Sequence, residues 1–278
     1  MRQKLSLCNE VLAGWDFERQ CAYAAALGYQ GLEVAPFTLA EDPLTITSTQ
    51  AQSFRRIAAD HGLVISGLHW LLVAPLGLSI SSPDAQVSRR TNEAMRRLID
   101  LCAELGGSYL VHGSPAQRNP GPGQSQMDAM ARATDAWLKA GEQAGKLGLH
   151  YCVEPLSADQ TSVLNTVAQG VALVQEAGLP GLKTMLDTCS ALRTELMPLP
   201  ELVDQWWSSG ALAHVQLNDA NRRGPGQGEY AFGPLLAALQ RQGYSGWLAM
   251  EPFDYVPDGQ ACAALSMGYV KGLLEAAN

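Results

Sequence analysis

Short apolar runs alternate along the chain with longer segments of helical periodicity. Eight of the runs are predicted to be β-strands, because each is short, apolar and bounded by turn residues. They cover residues 4–11, 31–36, 64–72, 109–115, 149–156, 182–188, 212–219 and 246–252. Their starts recur every 27 to 45 residues, which is the spacing expected for a strand followed by a helix.

The segments between these runs repeat apolar residues at the period of an amphipathic helix. In 232–244, for example, Phe232, Leu235, Leu236 and Leu239 share one face. Several of the segments end at a glycine just before the next strand, as in "DHGL" and "EAGLPG". This is typical of a helix C-terminus, because glycine adopts the left-handed conformation without a Cβ penalty.

A regular alternation of strand and helix predicts parallel strands joined by right-handed crossovers. Eight such units within 278 residues match the number and size of a (β/α)8 TIM barrel. A doubly wound α/β sheet is the alternative, but no Gly-rich nucleotide loop follows the first run, which continues as "CNEVLAGW". We therefore predict a single TIM barrel domain over 1–278. The Pro/Gly-rich segment 114–126 is predicted to be a loop at the barrel rim or a lid.

The composition of the chain indicates which kinds of binding partner are excluded and which state the cysteines adopt. A formal charge of −8 and a pI near 5.1 argue against nucleic acid, whose binders need a basic face. The six cysteines are scattered without paired spacing, so we expect reduced core thiols. No apolar run is long enough for a signal peptide or a membrane span, and we expect a cytoplasmic protein that has no membrane partner.

Four polar residues occupy equivalent positions on four consecutive predicted strands. Glu154, Asp187 and Glu251 each follow an apolar run, and Gln216 lies near the end of the run at 212–219. They are 33, 29 and 35 residues apart, which is about one strand–helix unit each. Because the carboxyl ends of barrel strands face one mouth, we expect these four side chains to converge there.

Such a group points to a bound cation. One carboxylate at a strand end is as often a loop cap or a salt-bridge partner, but three that converge without a basic neighbour are normally neutralised by a cation. Three carboxylates and one amide suit Mn²⁺ or Mg²⁺, with Zn²⁺ or Co²⁺ as further candidates. In this interpretation Gln216 is a neutral oxygen ligand of one divalent metal.

The sequence resembles the sugar isomerase/epimerase family with xylose-isomerase-like barrels, which includes ketose 3-epimerases and hydroxypyruvate isomerases. The resemblance covers almost the whole chain. It rests on "VEPLS" (153–157), "LNTVAQGVALVQEAG" (164–178), "LDT" (186–188), "HVQLNDANRRGPGQGEY" (214–230) and "GYSGWLAMEPF" (243–253). These motifs are specific as a set, although any one of them alone would be weak.

The resemblance implies a role for each candidate residue. The metal ligands would be Glu154, Asp187, Gln216 and Glu251, and the two glutamates would be the acid/base pair. Substrate contacts would come from Arg222 and from His69 or His112, which end the third and fourth strands. Two positions depart from the ketose 3-epimerase pattern. Gln216 replaces a metal-binding histidine, as in the hydroxypyruvate-isomerase branch, and Ser190 replaces a histidine three residues after the metal aspartate.

The implied chemistry is proton transfer in an α-hydroxy ketone or aldehyde. The metal would act as a Lewis acid toward an enediolate while one glutamate removes a proton. Return of the proton to the other face of the same carbon gives an epimerase, and return to the neighbouring carbon gives an isomerase. The expected substrate is a small-molecule sugar or sugar acid, free rather than phosphorylated, since no motif resembles a phosphate cradle.

Two other functions compete with this interpretation. A keto-inositol-type dehydratase would use the same barrel and metal for an elimination. An endonuclease-IV-like DNA repair hydrolase would need histidines where Ser190 and Gln216 stand. Barrels of this kind often pair through their helices, so a homo-oligomer is a further expectation. Of the remaining polar residues, His214 is expected to be structural, and Glu33 to orient a histidine or to form an internal ion pair.

Overall fold

All eight predicted strands are present in the computed structural model, which describes residues 3–276. They are β1 (Lys4–Cys8), β2 (Gly31–Val34), β3 (Val64–Leu68), β4 (Tyr109–His112), β5 (His150–Val153), β6 (Leu182–Asp187), β7 (Leu212–Leu217) and β8 (Trp247–Met250). Each strand pairs in parallel with the next, and β8 pairs with β1 to close the sheet. The predicted (β/α)8 TIM barrel is therefore confirmed.

The helices form a layer around this barrel. They are α1 (Phe17–Leu27), α2 (Ser48–Asp60), α3 (Ala85–Leu105), α4 (Pro115–Arg118), α5 (Gln126–Lys146), α6 (Val167–Ala177), α7 (Thr188–Thr194), α8 (Leu199–Trp206), α9 (Phe232–Arg241) and α10 (Gly259–Ala276). Within the described part of the chain, no helix combines the length and the apolar character that a bilayer crossing requires.

Local sequence signals set several helix ends. Gly28 and Gly106 end α1 and α3 in the left-handed conformation, with φ of 97° and 81°, as the glycine pattern predicted. Thr166 caps α6 through a reciprocal pair of bonds with Gln169, a capping box. Such a cap stabilises a helix by about 1 kcal/mol.

The segment 114–126 was predicted to be a loop, and this is wrong for its first part. Pro115 begins the short helix α4, where the fixed φ of proline suits the first helical turn. The Arg118 side chain at the end of α4 is fully buried, and its Nη1 donates a hydrogen bond to the Glu154 backbone carbonyl at 2.8 Å. This part of the segment is thus packed against the end of β5.

The interior of the barrel contains polar as well as apolar side chains. Glu33, Tyr109 and His214 are all buried, and the rings of Tyr109 and His214 stack with centroids 4.0 Å apart. The buried apolar side chains that cluster with Tyr109 are those of Val111, Cys152 and Met185. All six cysteines are free and buried, which confirms the expectation of reduced core thiols.

Candidate active site

The four polar side chains expected to share the barrel mouth come from the carboxyl ends of β5 to β8. Asp187 is the last residue of β6 and is paired in register with Gln216 of β7. Glu154 and Glu251 directly follow β5 and β8. Carboxylate oxygens of Glu154, Asp187 and Glu251 lie within 4.8 Å of one another, and all four side chains are buried.

Three oxygens of this group are buried without a hydrogen-bond partner in the described residues: Asp187 Oδ2, Gln216 Oε1 and Glu251 Oε2. The other carboxylate oxygen of Asp187 accepts a bond from the Ser190 backbone N–H at 2.7 Å. The other oxygen of Glu251 lies 3.0 Å from His69 Nδ1. Buried polar atoms are rarely left unpaired. Asp187 and Glu251 therefore each have one oxygen held by the protein and one available to a ligand, and the single oxygen of Gln216 is also available.

The three carboxyl groups also disfavour one another's ionisation. Burial raises the pKa of Glu154 well above its usual value, and the charges of Glu251 and Asp187 raise it further. Burial also raises the pKa of Asp187 and raises that of Glu251 to about 8, against the opposing effect of His69. A divalent cation would relieve this repulsion. Three carboxylates and an amide oxygen fit a hard cation such as Mg²⁺ or Mn²⁺.

A second group with metal-ligand spacing is formed by Cys8, Glu10, His69 and Glu251, whose ligand atoms also lie within 4.8 Å of one another. Here His69 already bridges the two carboxylates, with Nε2 2.8 Å from Glu10 and Nδ1 3.0 Å from Glu251. Burial would lower the pKa of His69, but Glu10 and its other carboxylate neighbours raise it well above its usual value. A protonated imidazole competes with a cation for this position, so we interpret His69 as the support of Glu251.

A cavity of about 400 Å³ opens over the three carboxylates. Its walls include Trp70 and Phe253, whose rings are in contact at 5.5 Å between centroids. Arg222 also lines the cavity, with its guanidinium carbon 5.0 Å from the centroid of the Phe253 ring. The backbone of Arg222 has a positive φ of 67°, and its carbonyl accepts bonds from the N–H groups of Phe253 and Asp254 at 2.8 and 2.9 Å.

Another part of the cavity wall is formed by Gln160, Ser190 and Arg193. Gln160 Nε2 donates to the Ser190 hydroxyl at 3.4 Å, and Arg193 forms an ion pair with Asp159 at 2.7 Å. Ser190 is a small residue, and its backbone N–H is bonded to Asp187, so this part of the wall adjoins the carboxylates. Together with Arg222, Arg193 gives the cavity two guanidinium groups beside its acidic floor.

Neither histidine expected to contact substrate lines this cavity, since His69 and His112 are both fully buried. His112 Nδ1 lies 2.6 Å from the Tyr151 hydroxyl, and its Nε2 has no partner in the part of the chain that the structure describes. Burial lowers the pKa of His112 to about 3, with the charge of Arg118 acting in the same direction. A substrate contact by either histidine stays a prediction.

Two neighbours of the site were not predicted from the sequence. Glu10 lies in a 3-10 turn after β1, within the run 4–11 that was expected to be strand throughout. Arg118 is buried and bonded to the Glu154 carbonyl, although an arginine in a Pro/Gly-rich segment is usually exposed to solvent. For Glu10, the sequence offered one signal. Glu10 lies two residues after Cys8 in a run predicted to be strand, and this spacing places both side chains on the same side.

Comparison with known proteins identifies the family of this chain. Residues 21–271 match the family described as "Xylose isomerase-like TIM barrel". A ketose 3-epimerase from Arthrobacter globiformis is 30% identical over 227 residues, covering 79% of this chain and 74% of that protein. A D-psicose 3-epimerase from Agrobacterium fabrum is 29% identical over 237 residues, covering 82% of this chain and 76% of that protein.

Among solved structures, that of an L-ribulose 3-epimerase superimposes with a TM-score of 0.84 at 22% identity, covering 99% of this chain and 96% of that one. At this identity the likeness concerns the fold. The family match extends over most of the chain, and the chain belongs to the xylose isomerase-like TIM barrel family. It is a barrel of the sugar isomerase/epimerase type, which confirms the resemblance drawn from its motifs.

Proposed function

We propose that this protein is a divalent-metal-dependent isomerase or epimerase acting on a small keto-sugar or hydroxy-keto acid. The observation that carries the proposal is the group of three buried carboxylates at the barrel mouth, two of which have an oxygen without a partner in the described residues. Glu154, Asp187, Gln216 and Glu251 would hold one cation, and their oxygen chemistry favours Mn²⁺ or Mg²⁺. The two relatives reported above are named for epimerisation of ketoses, which supports this class of substrate.

Glu154 and Glu251 are the proposed acid/base pair. Both belong to the floor of the cavity, and their carboxylate oxygens lie within 4.8 Å of each other. The bound cation would supply Lewis-acid stabilisation of negative charge on the substrate oxygens. One glutamate takes the proton from the carbon that bears the hydroxyl group, leaving an enediolate, and a glutamate then returns a proton. Delivery to the opposite face of that carbon gives the epimer, whereas delivery to the former carbonyl carbon gives the isomer.

The surrounding residues position this pair. His69 holds one oxygen of Glu251 at 3.0 Å, and the other oxygen has no partner among the residues that the structure describes. The Arg118 guanidinium donates a hydrogen bond to the backbone carbonyl of Glu154 and so fixes the backbone there. Gly113 leaves room for the Glu154 carboxylate, because a Cβ at that position would lie 2.1 Å from Glu154 Oε2. A base held in this way contributes roughly 10²- to 10⁴-fold to the rate of proton transfer.

A hydroxy-keto acid is the second candidate substrate, and the two arginines of the cavity favour it. A guanidinium group binds a carboxylate through two parallel hydrogen bonds. The guanidinium of Arg222 donates no hydrogen bond to any described residue, and it lies against the Phe253 ring. The small side chain of Ser190 leaves space beside Arg193, where a substrate carboxylate would fit.

Solvent-deuterium exchange tests the proposal. The metal-free protein is loaded with Mn²⁺ in D₂O and incubated with separate ketoses, oxo-tetronates and hydroxypyruvate, and each compound is recovered after chelation of the metal and examined by NMR. We expect deuterium at a carbon next to a carbonyl group in at least one compound. The labelled carbon identifies the reaction: an inverted centre means epimerisation, and a new carbonyl position means isomerisation.

The Asp187→Asn variant is the matched control, because it replaces a charged carboxylate ligand by a neutral amide and leaves both glutamates in place. It is expected to show no exchange. Loss of water from a substrate, in place of exchange, would support the keto-inositol-type dehydratase. Exchange that is equally fast after exhaustive chelation would contradict the proposed metal dependence.

A further inference from the structure

The amide of Gln216 has two ends with different surroundings. Its Nε2 donates a hydrogen bond to Glu33 Oε1 at 2.6 Å. Its Oε1 is buried and has no partner among the described residues. Gln216 is the register partner of Asp187, whose Oδ2 is also buried without a partner. The amide therefore turns its nitrogen toward Glu33 and keeps its oxygen free for a ligand.

An amide side chain can rotate by half a turn and exchange its oxygen for its nitrogen with little change in shape. In the rotated form, Gln216 would place its oxygen against Glu33 Oε1, where two acceptors repel each other. It would also present an NH₂ group, which cannot bind a cation, in place of the unpaired oxygen. A carboxylate beside Gln216 thus selects the orientation in which the amide is an oxygen ligand.

Glu33 is itself held so that it can only accept. It lies in β2, fully buried, and its Oε2 accepts a hydrogen bond from the Tyr109 hydroxyl and lies 2.8 Å from His214 Nε2. The Cys8 thiol also donates to its Oε1, at 3.6 Å. Since donors surround both oxygens, the carboxylate cannot turn away from Gln216 without breaking several contacts.

From this geometry we propose that Glu33 is a positioning residue for the metal centre, which fixes the Gln216 amide with its oxygen toward the cation. This inference rests on the proposed function, because it requires a cation at the barrel mouth. Glu33 would touch neither the metal nor the substrate. Groups that orient metal ligands typically account for about 10- to 100-fold in metal affinity, which is the effect expected here.

A double-mutant cycle on Mn²⁺ affinity tests the inference, using the EPR signal of free Mn²⁺ as the readout. The variants are Glu33→Ala, Glu33→Asp and Gln216→Ala, together with each Glu33 change combined with Gln216→Ala. We expect Glu33→Ala and Glu33→Asp to weaken Mn²⁺ binding by about tenfold or more. In the Gln216→Ala background the same changes are expected to have a much smaller effect, because the amide is gone and the remaining link of Glu33 to the proposed ligands is its 3.3 Å contact with His69, the support of Glu251.

Glu33→Asp separates orientation from charge, since it keeps a carboxylate in the barrel but withdraws it from Gln216. It also serves if Glu33→Ala fails to fold, which thermal unfolding would reveal. Full affinity in Glu33→Asp, or an equal loss in both backgrounds, would overturn the inference. A wild-type protein that binds no Mn²⁺ would instead overturn the proposed function.

Discussion

Glu33 and Glu251 are both buried acids that approach His69, yet their pKa values shift in opposite directions. Burial would raise the pKa of Glu33, but His214, His69 and the Tyr109 hydroxyl lower it to about 2. Burial raises the pKa of Glu251 to about 8, and His69 offsets this only in part. The difference lies in the partners: donors surround both oxygens of Glu33, whereas one oxygen of Glu251 has none in the described residues.

The difference between Glu33 and Glu251 shows how a structural carboxylate can be distinguished from one that is available to bind a ligand. A buried charge is tolerated when the protein satisfies it and is costly when it does not. The region around Glu33 is satisfied internally and holds its neighbours in place. In the proposed function, a cation completes the region of Glu154, Asp187 and Glu251. The predictions below ask whether the two regions differ in this way.

The largest effect is expected from the acid/base pair. Glu154→Gln and Glu251→Gln should each reduce solvent-deuterium uptake into substrate by roughly 10²- to 10⁴-fold, because a positioned base is lost. Thermal unfolding should show an intact fold, since each change removes a poorly accommodated charge. Glu176→Gln on the exposed side of α6 is the matched control and should leave exchange unchanged. Normal exchange in both site variants would refute the assignment.

A smaller loss is expected when the base is displaced and not removed. In Gly113→Ala the new methyl group would lie 2.1 Å from Glu154 Oε2, so the flexible carboxylate must move. A misplacement of a catalytic group by about 1 Å costs about 10²-fold in kcat. We expect a loss of this order here, with little loss of stability. Gly121→Ala is the control, because its Cβ meets only Gln124 at 3.7 Å. Equal kcat values for the two variants would show that the position of Glu154 is not critical.

Arg222 is expected to contribute mainly to substrate binding. Arg222→Gln should raise KM about tenfold or more, since a hydrogen bond from a charged group is worth roughly 1.5–3 kcal/mol. Arg223→Gln is the control, because Arg223 pairs with Asp254 at 2.8 Å outside the cavity lining. A larger effect of Arg222→Gln on carboxylate substrates than on neutral ketoses would favour the acid candidate. An unchanged KM for every substrate would remove Arg222 from the binding site.

The last prediction concerns the pH dependence of stability. Because the pKa of Glu251 rises from 4.5 to about 8 on folding, the folded metal-free protein binds a proton that the unfolded chain releases in this range. The free energy of unfolding should therefore fall as pH rises from about 4.5 to about 8. Glu33, with a pKa lowered from 4.5 to about 2, stabilises above pH 4.5 and loses this contribution as pH falls toward 2.

Denaturant unfolding in EDTA at a series of pH values measures this dependence. The decline between pH 4.5 and 8 should become shallower in Glu251→Gln and in protein saturated with Mn²⁺, which binds the ionised carboxylates. Stability of the metal-free protein that increases across this range would show that the mouth carboxylates are already neutralised within the chain.

The fold was predictable because its signals are local. Eight apolar runs, regular spacing and glycines at helix ends such as Gly28 and Gly106 are all visible in the sequence, and each acts over a few residues. Convergence of Glu154, Asp187 and Glu251 was also predictable, since barrel topology turns a repeat in the sequence into a shared position.

The partners of these residues were not predictable in the same way. The contacts of His69 with Glu10 and Glu251 join positions 59 and 182 residues apart, and no local pattern records them. The burial of Arg118 could not be predicted, because it depends on a tertiary contact, here the hydrogen bond to the Glu154 carbonyl. Glu33 was expected to orient a histidine or to form an ion pair, and its bond to Gln216 became visible only in the structure.

The most direct test of the central claim is a calorimetric titration of metal-free protein with Mn²⁺, beside the Asp187→Asn variant. If four side chains at the barrel mouth share one cation, wild-type protein binds one Mn²⁺ per chain and Asp187→Asn binds it far more weakly or not at all. No binding by the wild type, or binding that is unaltered in Asp187→Asn, would contradict the account.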